Sequence, residues 1–189
     1  IEPIEGDYLE FRLRRYLTFA EFKSELAPHF GLGLEGYATW TSPIRKYSDM
    51  VNHRLIKAVL TQQACNKPQD EVLARLQEAR RQNRLVERDI ADWLYCRYLV
   101  DKVASNAEFE AEVQDVMRGG LRVQLLENGA SMFIPASTLH NNKEEMQVNS
   151  DEIALYIKGE RIYKIGDIVK VKLTEVKETT RSIVGEIVQ

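Results

Sequence analysis

From Gln69 to Val100 the chain contains neither glycine nor proline. No other feature limits its folding choices as much. An unbroken run of this length, with Val72, Leu76, Ala79, Val86, Ile90 and Trp93 recurring at helical spacing, predicts a single helix of about 30 residues, roughly 45 Å long. Asn66–Pro68 breaks the chain ahead of it, and the polar, small-residue stretch Asp101–Ala107 reads as a linker behind it. Past the linker the period changes from helical to alternating. Phe109, Ala111 and Val113 alternate with acids, and Leu121, Val123 and Leu125 alternate after a turn at Gly119-Gly120. Asn128-Gly129 is a hairpin signal, Ala130–Ile134 runs up to Pro135, and Ile153, Leu155 and Ile157 run to Gly159 with Ile162–Ile165 beyond. Val169, Val171 and Leu173, then Ser182–Val188, complete the set. Short strands punctuated by turns predict a small barrel. The fold class expected is α+β, with a mainly helical part over 1–103 and a β part over 104–189.

Upstream of the long helix, Tyr37–Thr41 is rich in β-branched and aromatic residues and reads as a strand. Ser42 then reads as an N-cap and Pro43 as the first residue of a helix running from Ile44 to about Gln62. Ile44, Tyr47, Val51, Leu55 and Ala58 would form its apolar stripe. This places Arg45 and Lys46 in the first turn, where the helix end is already partly positive and cations are mildly unfavourable. Basic side chains gathered with free backbone N–H groups make a site for an anion such as phosphate. A solvated surface cap is the other reading, and the spacing alone leaves both open. Asp49 is a candidate metal ligand or, preferably, an ion-pair partner four residues from Arg45. His53 reads as a hydrogen-bonded structural histidine. Nearer the start, Tyr8, Phe11, Tyr16 and Phe19 suggest one or two short helices within Ile1–Phe30.

Composition narrows the function. The 189 residues carry 26 Lys and Arg against 29 Asp and Glu, which on its own disfavours a polyanion binder. The distribution is uneven: roughly 12 basic against 8 acidic residues over 37–103, and roughly 10 against 14 from Ala104 onward. A polyanion should therefore dock mainly on the middle of the chain. Charges throughout the first stretch exclude a signal peptide or membrane span there. The start at Ile1 suggests a position inside a longer protein. Cys65 and Cys96 form no paired motif, which argues for a reducing compartment and against structural zinc. Cys96 reads as a small buried hydrophobe.

The run Tyr37–Asp49, with Asn52-His53-Arg54, closely resembles the arginine-bearing motif of the exoribonuclease II, or RNB, family. Pro28–Leu34 and Asn83–Asp89 resemble that family's flanking segments, and the chain past Ala107 resembles its terminal S1-type RNA-binding domain. The resemblance covers nearly the whole chain and implies a C-terminal fragment of a bacterial enzyme. Residues 1–103 would end the RNB catalytic domain, and 104–189 would form a five-stranded OB-type barrel with an extra hairpin around Gly159 in a polar insertion. The implied activity is processive 3′-to-5′ hydrolysis of single-stranded RNA to nucleoside 5′-monophosphates by a cytoplasmic, monomeric enzyme that uses magnesium.

On that resemblance Arg45 is the catalytic candidate, a guanidinium able to hold two phosphate oxygens. Thr41, Ser42 and Lys46 are RNA-contact candidates beside it, and Glu87 with Arg84 lies in the segment placed near the RNA 3′ end. The barrel lacks an aromatic after Gly120-Leu121, where Arg122 stands, and has Pro135 in place of a frequent histidine. Arg118, Arg122, Lys170 and Lys172 are therefore expected to supply a weak, sequence-tolerant contact. Phe133 is either a stacking platform or core. The family's aspartate cluster for magnesium is expected upstream, since Ile1–Val103 shows no carboxylate cluster with ligand-like spacing. No metal is expected in this chain, and the chain alone should be inactive. A non-catalytic RNA-binding module and a protein-interaction fragment docking through the long helix remain the alternatives.

Overall fold

The computed structural model describes residues 17–150 and 152–188. The chain divides into two compact units. Among the described residues one is Leu17–Val86 and the other begins at Glu87. The expected aromatic stripe falls mostly outside the described residues, at Tyr8, Phe11 and Tyr16. Leu17–Pro28 contains no helix, and Phe19 is exposed.

Leu17–Val86 is sparse in regular structure. A 3-10 turn at Phe30–Leu32 closes with Gly33 in the left-handed region, and His29 bridges to Leu34. Tyr37–Thr41 is not a strand. It forms no ladder, because no neighbouring strand in the described residues offers it an edge. Helix α1 spans Tyr47–Leu60, three residues shorter at its start than the sequence suggests. Ser42 does begin a turn, its carbonyl accepting the N–H groups of Arg45 (3.2 Å) and Lys46 (2.8 Å). Lys46 then takes an extended conformation and the helix restarts behind it. Ile44 is consequently fully exposed rather than part of a buried stripe, and Tyr47 is half exposed. Of the expected stripe, Ala58 is buried while Val51 and Leu55 are intermediate.

Helix α2, Asp70–Ala104, is the long helix expected. It outruns its expected end because the helix continues through Asp101–Ala104, the stretch read as linker, and packs Val103 against the core. The apolar positions that matter most are Cys96 and Leu99, both fully buried. They belong to one core with Phe109, Val113, Leu121, Val123, Leu125, Met132, Ile134, Val171 and Ile183.

Most of that core lines a closed barrel. Its strands are β1 (Glu108–Met117), β2 (Gly120–Leu125), β3 (Ser131–Pro135), β7 (Ile168–Lys177) and β8 (Ser182–Ile187), in the order β1-β2-β3-β8-β7. β3 pairs with β8 in parallel and the other neighbours are antiparallel. Closure removes the free edges that short strands would otherwise present. Alternation explains the filling: Leu121, Val123 and Leu125 are fully buried while Arg122 and Gln124 face out. Gly120 allows the β1–β2 turn, since a Cβ there would lie 1.9 Å from the Ile134 carbonyl oxygen. Between β3 and β7 the insertion folds into a short helix α3 (Ala136–Leu139) and a second sheet. That sheet contains β4 (Met146–Asn149), β5 (Ala154–Ile157) and β6 (Glu160–Lys164), with the expected hairpin at Gly159. The α+β class and the five-stranded barrel are as the sequence implied. Among the described residues, no helix is long and apolar enough to cross a membrane.

Candidate functional site

The site is built on the Thr39–Lys46 segment, and helix α1 holds it. The segment lacks a strand partner, so its backbone groups must be satisfied elsewhere. Three side chains at i, i+3 and i+4 on α1 do this. Asp49 accepts from the Thr39 hydroxyl and, through Oδ2, from the Ser42 N–H at 2.9 Å. Asn52 Nδ2 donates to the Thr39 carbonyl at 2.9 Å. His53 Nε2 donates to the Trp40 carbonyl at 2.8 Å, with the two rings edge to face at 6.3 Å between centroids. His53 is thus the hydrogen-bonded structural histidine expected.

Asp49 is fully buried. Burial pushes its carboxyl pKa up. The hydrogen bonds from Thr39, Ser42 and Ser48, with the charge of Lys46, outweigh burial and hold the group below the usual carboxylate range. It therefore stays ionised in a setting where neutral donors satisfy the charge. A hydrogen bond to a charged acceptor contributes about 1.5–3 kcal/mol, roughly twice a neutral one. The expected Arg45–Asp49 ion pair does not form. Arg45 stands in the turn ahead of α1 rather than one helical turn below Asp49, and the carboxylate is already engaged.

The structure brings Thr41, Ser42, Arg45 and Lys46 onto one short loop. Arg45, Lys46 and Thr41 are exposed and Ser42 is half-buried. Among the described residues Arg45 forms no ion pair, which leaves its guanidinium available to an anion. Sequence reasoning gives Asn52 and Thr39 no role. The signal for Asn52 is the i, i+3, i+4 spacing it shares with Asp49 and His53. Arg84 is exposed on α2, its guanidinium 5.5 Å from the Phe19 ring centroid. Glu87 is exposed on the same helix.

On the barrel the four candidate cations do not converge. Lys170 lies across from Glu110 and Lys172 from Glu108, while Arg118 sits in the turn past Met117. Eight and ten residue steps separate those levels from Arg118, roughly 25–35 Å along the strand. Lys172 is also paired with Glu186 at 2.9 Å, which raises its pKa. Arg122 is exposed and registers with half-buried Phe133 on β3. Arg118 and Lys143 border a cavity of about 480 Å³, with Met146, Gln147, Val148 and Leu155.

No group of three or more His, Cys, Asp and Glu side chains among the described residues is placed to hold a metal ion. Asp49, the one candidate ligand from the sequence, is buried and occupied by its hydrogen bonds. These residues do not make a magnesium site.

Comparison with known proteins gives two domain matches. Residues 2–62 match the RNB domain and residues 102–187 the S1 RNA binding domain. Over its whole length the chain is 90% identical to Exoribonuclease 2 of Haemophilus influenzae strain 86-028NP, of which it covers 29%. It is 80% identical to Exoribonuclease 2 of Actinobacillus succinogenes, covering 28%. Over 98% of the chain it is 75% identical to that of Pasteurella multocida, again covering 28%. The chain thus spans under a third of the length of these relatives. In fold it is similar to the apo form of Mycoplasma genitalium RNase R, with a TM-score of 0.75 at 20% identity over 96% of this chain and 30% of that one. The same likeness holds for that protein in complex with ribose methylated single-stranded RNA.

Proposed function

We propose that this chain of RNB and S1 sequence is the C-terminal part of a processive 3′-to-5′ exoribonuclease. Residues 1–103 would end its catalytic domain and 104–189 would form its S1-type domain. The intact protein would hydrolyse single-stranded RNA to nucleoside 5′-monophosphates with magnesium, as a cytoplasmic monomer. The observation that carries the reading is Arg45: an exposed guanidinium, without an ion pair among the described residues, on a loop fixed from behind by a buried carboxylate. As negative charge redistributes over phosphate oxygens during hydrolysis, a guanidinium can hold two of them. Lys46 and the hydroxyls of Thr41 and Ser42 would steady the same phosphate or its neighbour. Arg84 and Glu87 would lie near the RNA 3′ end. Arg118, Arg122, Lys170 and Lys172 would give the barrel a diffuse hold on the backbone.

The fragment reading has its own support. Ile44 is fully exposed, Phe30 is 85% exposed and Leu60 78%. Apolar groups left bare in this number within Leu17–Val86 are what part of a larger fold presents. The magnesium ligands belong, in this reading, to the remainder of the intact protein.

The test is magnesium-dependent digestion of a 5′-labelled oligoadenylate. The intact protein should shorten it to nucleoside 5′-monophosphates, and the 189-residue chain should leave it whole. Shortening by rigorously clean 189-residue chain would refute the fragment reading. An intact protein that leaves the oligomer untouched would refute the activity.

A further inference from the structure

We propose that Asp49, with Asn52 and His53, is a positioning residue for Arg45: a clamp on helix α1 that fixes the arginine loop without neutralising it. The inference rests on the reading of Arg45 as the phosphate-holding group. Its path is short and covalently anchored at one end. The Asp49 carboxylate takes the Ser42 N–H at 2.9 Å, and the Ser42 carbonyl takes the N–H of Arg45 at 3.2 Å and of Lys46 at 2.8 Å. Two hydrogen bonds and the single residue Ser42 therefore connect a fully buried charge to the backbone of Arg45.

The other members hold the rest of the segment. Asn52 takes the Thr39 carbonyl and His53 the Trp40 carbonyl, so consecutive peptide groups are pinned from one helix face. With no ladder along 36–40, these side-chain bonds replace what a sheet would supply. The choice of donors matters as much as the geometry. A carboxylate paired with Arg45 would fix the side chain but cancel its charge. By engaging the Thr39 and Ser48 hydroxyls and a backbone N–H instead, Asp49 satisfies its own charge with dipoles and leaves the guanidinium positive. An anion-holding arginine requires that division of labour.

Misplacement of a reacting group by about 1 Å can cost 10²-fold in rate. Asp49→Asn keeps the side-chain shape, but its amide nitrogen cannot accept a hydrogen bond. In the intact protein this variant should lower the single-turnover cleavage rate of an RNA oligomer about 10- to 100-fold, with equilibrium RNA affinity within about twofold. The deciding measurement is a double-mutant cycle. Placed on Arg45→Ala, Asp49→Asn should cost no further rate, since the group it positions is gone. A gentler pair guards against misfolding: Thr39→Val removes only the hydroxyl and should lower the rate, while Thr39→Ser keeps it and should restore the rate. If Asp49→Asn does not fold, the Thr39 pair decides in the same cycle.

Rate losses that multiply fully with Arg45→Ala would overturn the clamp, as would wild-type rates in both Asp49→Asn and Thr39→Val. A wild-type rate in Arg45→Ala itself would instead remove the reading of Arg45 on which the clamp depends. The two failures are therefore distinguishable in one set of proteins.

Discussion

Leu99→Ala should unfold the barrel unit at a much lower temperature while leaving helix α2 intact. Leu99 lies on α2, outside the strands, yet it is fully buried in the same core as Leu121, Leu125 and Ile183. Burying a leucine completely contributes about 1.5–3 kcal/mol. Truncation to alanine adds a cavity term that grows when the surroundings cannot collapse, which brings the usual cost to about 2–5 kcal/mol. A closed barrel is a poor collapser because its wall is hydrogen-bonded all round, so about 3 kcal/mol is expected. For a unit of roughly 100 residues each kcal/mol moves Tm by about 4–8 °C. The transition should fall by about 12–24 °C, measured by calorimetry on the 189-residue chain. Leu94, 55% exposed on the same helix, is the control: Leu94→Ala should stay within about 0.5 kcal/mol of wild type. The same logic says that a chain cut to start at Glu87 should be more stable than one cut to start at Ala104, which loses Cys96 and Leu99. Equal midpoints for the two cuts, or a Leu99→Ala shift no larger than that of Leu94→Ala, would show that the barrel closes its core without the helix.

Three further outcomes are expected. In the intact protein Arg45→Ala should slow single-turnover cleavage about 10²–10³-fold with little loss of RNA affinity. Arg45→Lys should recover only part, because lysine lacks the two-pronged donor geometry; a loss confined to binding would exclude a catalytic role. Gly120→Ala should destabilise the barrel far more than Gly159→Ala in urea titrations. The first Cβ would meet backbone at 1.9 Å, whereas the second meets nothing within 4 Å and bears only the left-handed strain of about 1–2 kcal/mol. Asp49, its folded-state pKa lowered, should contribute its full stabilisation above the ordinary carboxylate value of about 3.9 and lose it as pH falls through the lower folded value. The stability difference between wild type and Asp49→Asn, from urea titrations, should stay level from pH 7 to about 5 and shrink only in stronger acid; a difference that changes near neutral pH would contradict the sign.

The barrel was legible because its signals are local. Alternation assigns Leu121, Val123 and Leu125 to one face whatever surrounds them, and Gly119-Gly120 and Asn128-Gly129 mark turns whether or not the strands are placed. The helical state of Asp101–Ala104 was not legible. Those residues sit in a polar, small-residue stretch, and only the burial of Cys96, Leu99 and Val103 against the barrel explains why the helix runs on to Ala104. Tertiary contact overrode a composition signal there. The strand expected at Tyr37–Thr41 failed for a related reason: β-propensity states what fits a pleated surface, not that such a surface is present.

The site was half legible. Resemblance draws attention to Arg45, and four-residue spacing relates it to Asp49, while Asn52 is given no role. Spacing fails to say what Asp49 grips. An Arg45–Asp49 pair at i, i+4 needs both residues inside the helix, yet the helix starts at Tyr47. Ser42 and Pro43 favour a helix start, and a single turn does begin there. That turn and α1 are separated at Lys46, whose extended backbone lets the Ser42 N–H reach back to Asp49. Continued as one helix, the same residues would put Arg45 beside Asp49 and set charge against charge. Interrupted by one extended residue, they engage the carboxylate on the loop's backbone and leave the arginine without an ion pair among the described residues. The difference lies in a single residue's φ and ψ, which neither spacing nor propensity resolves.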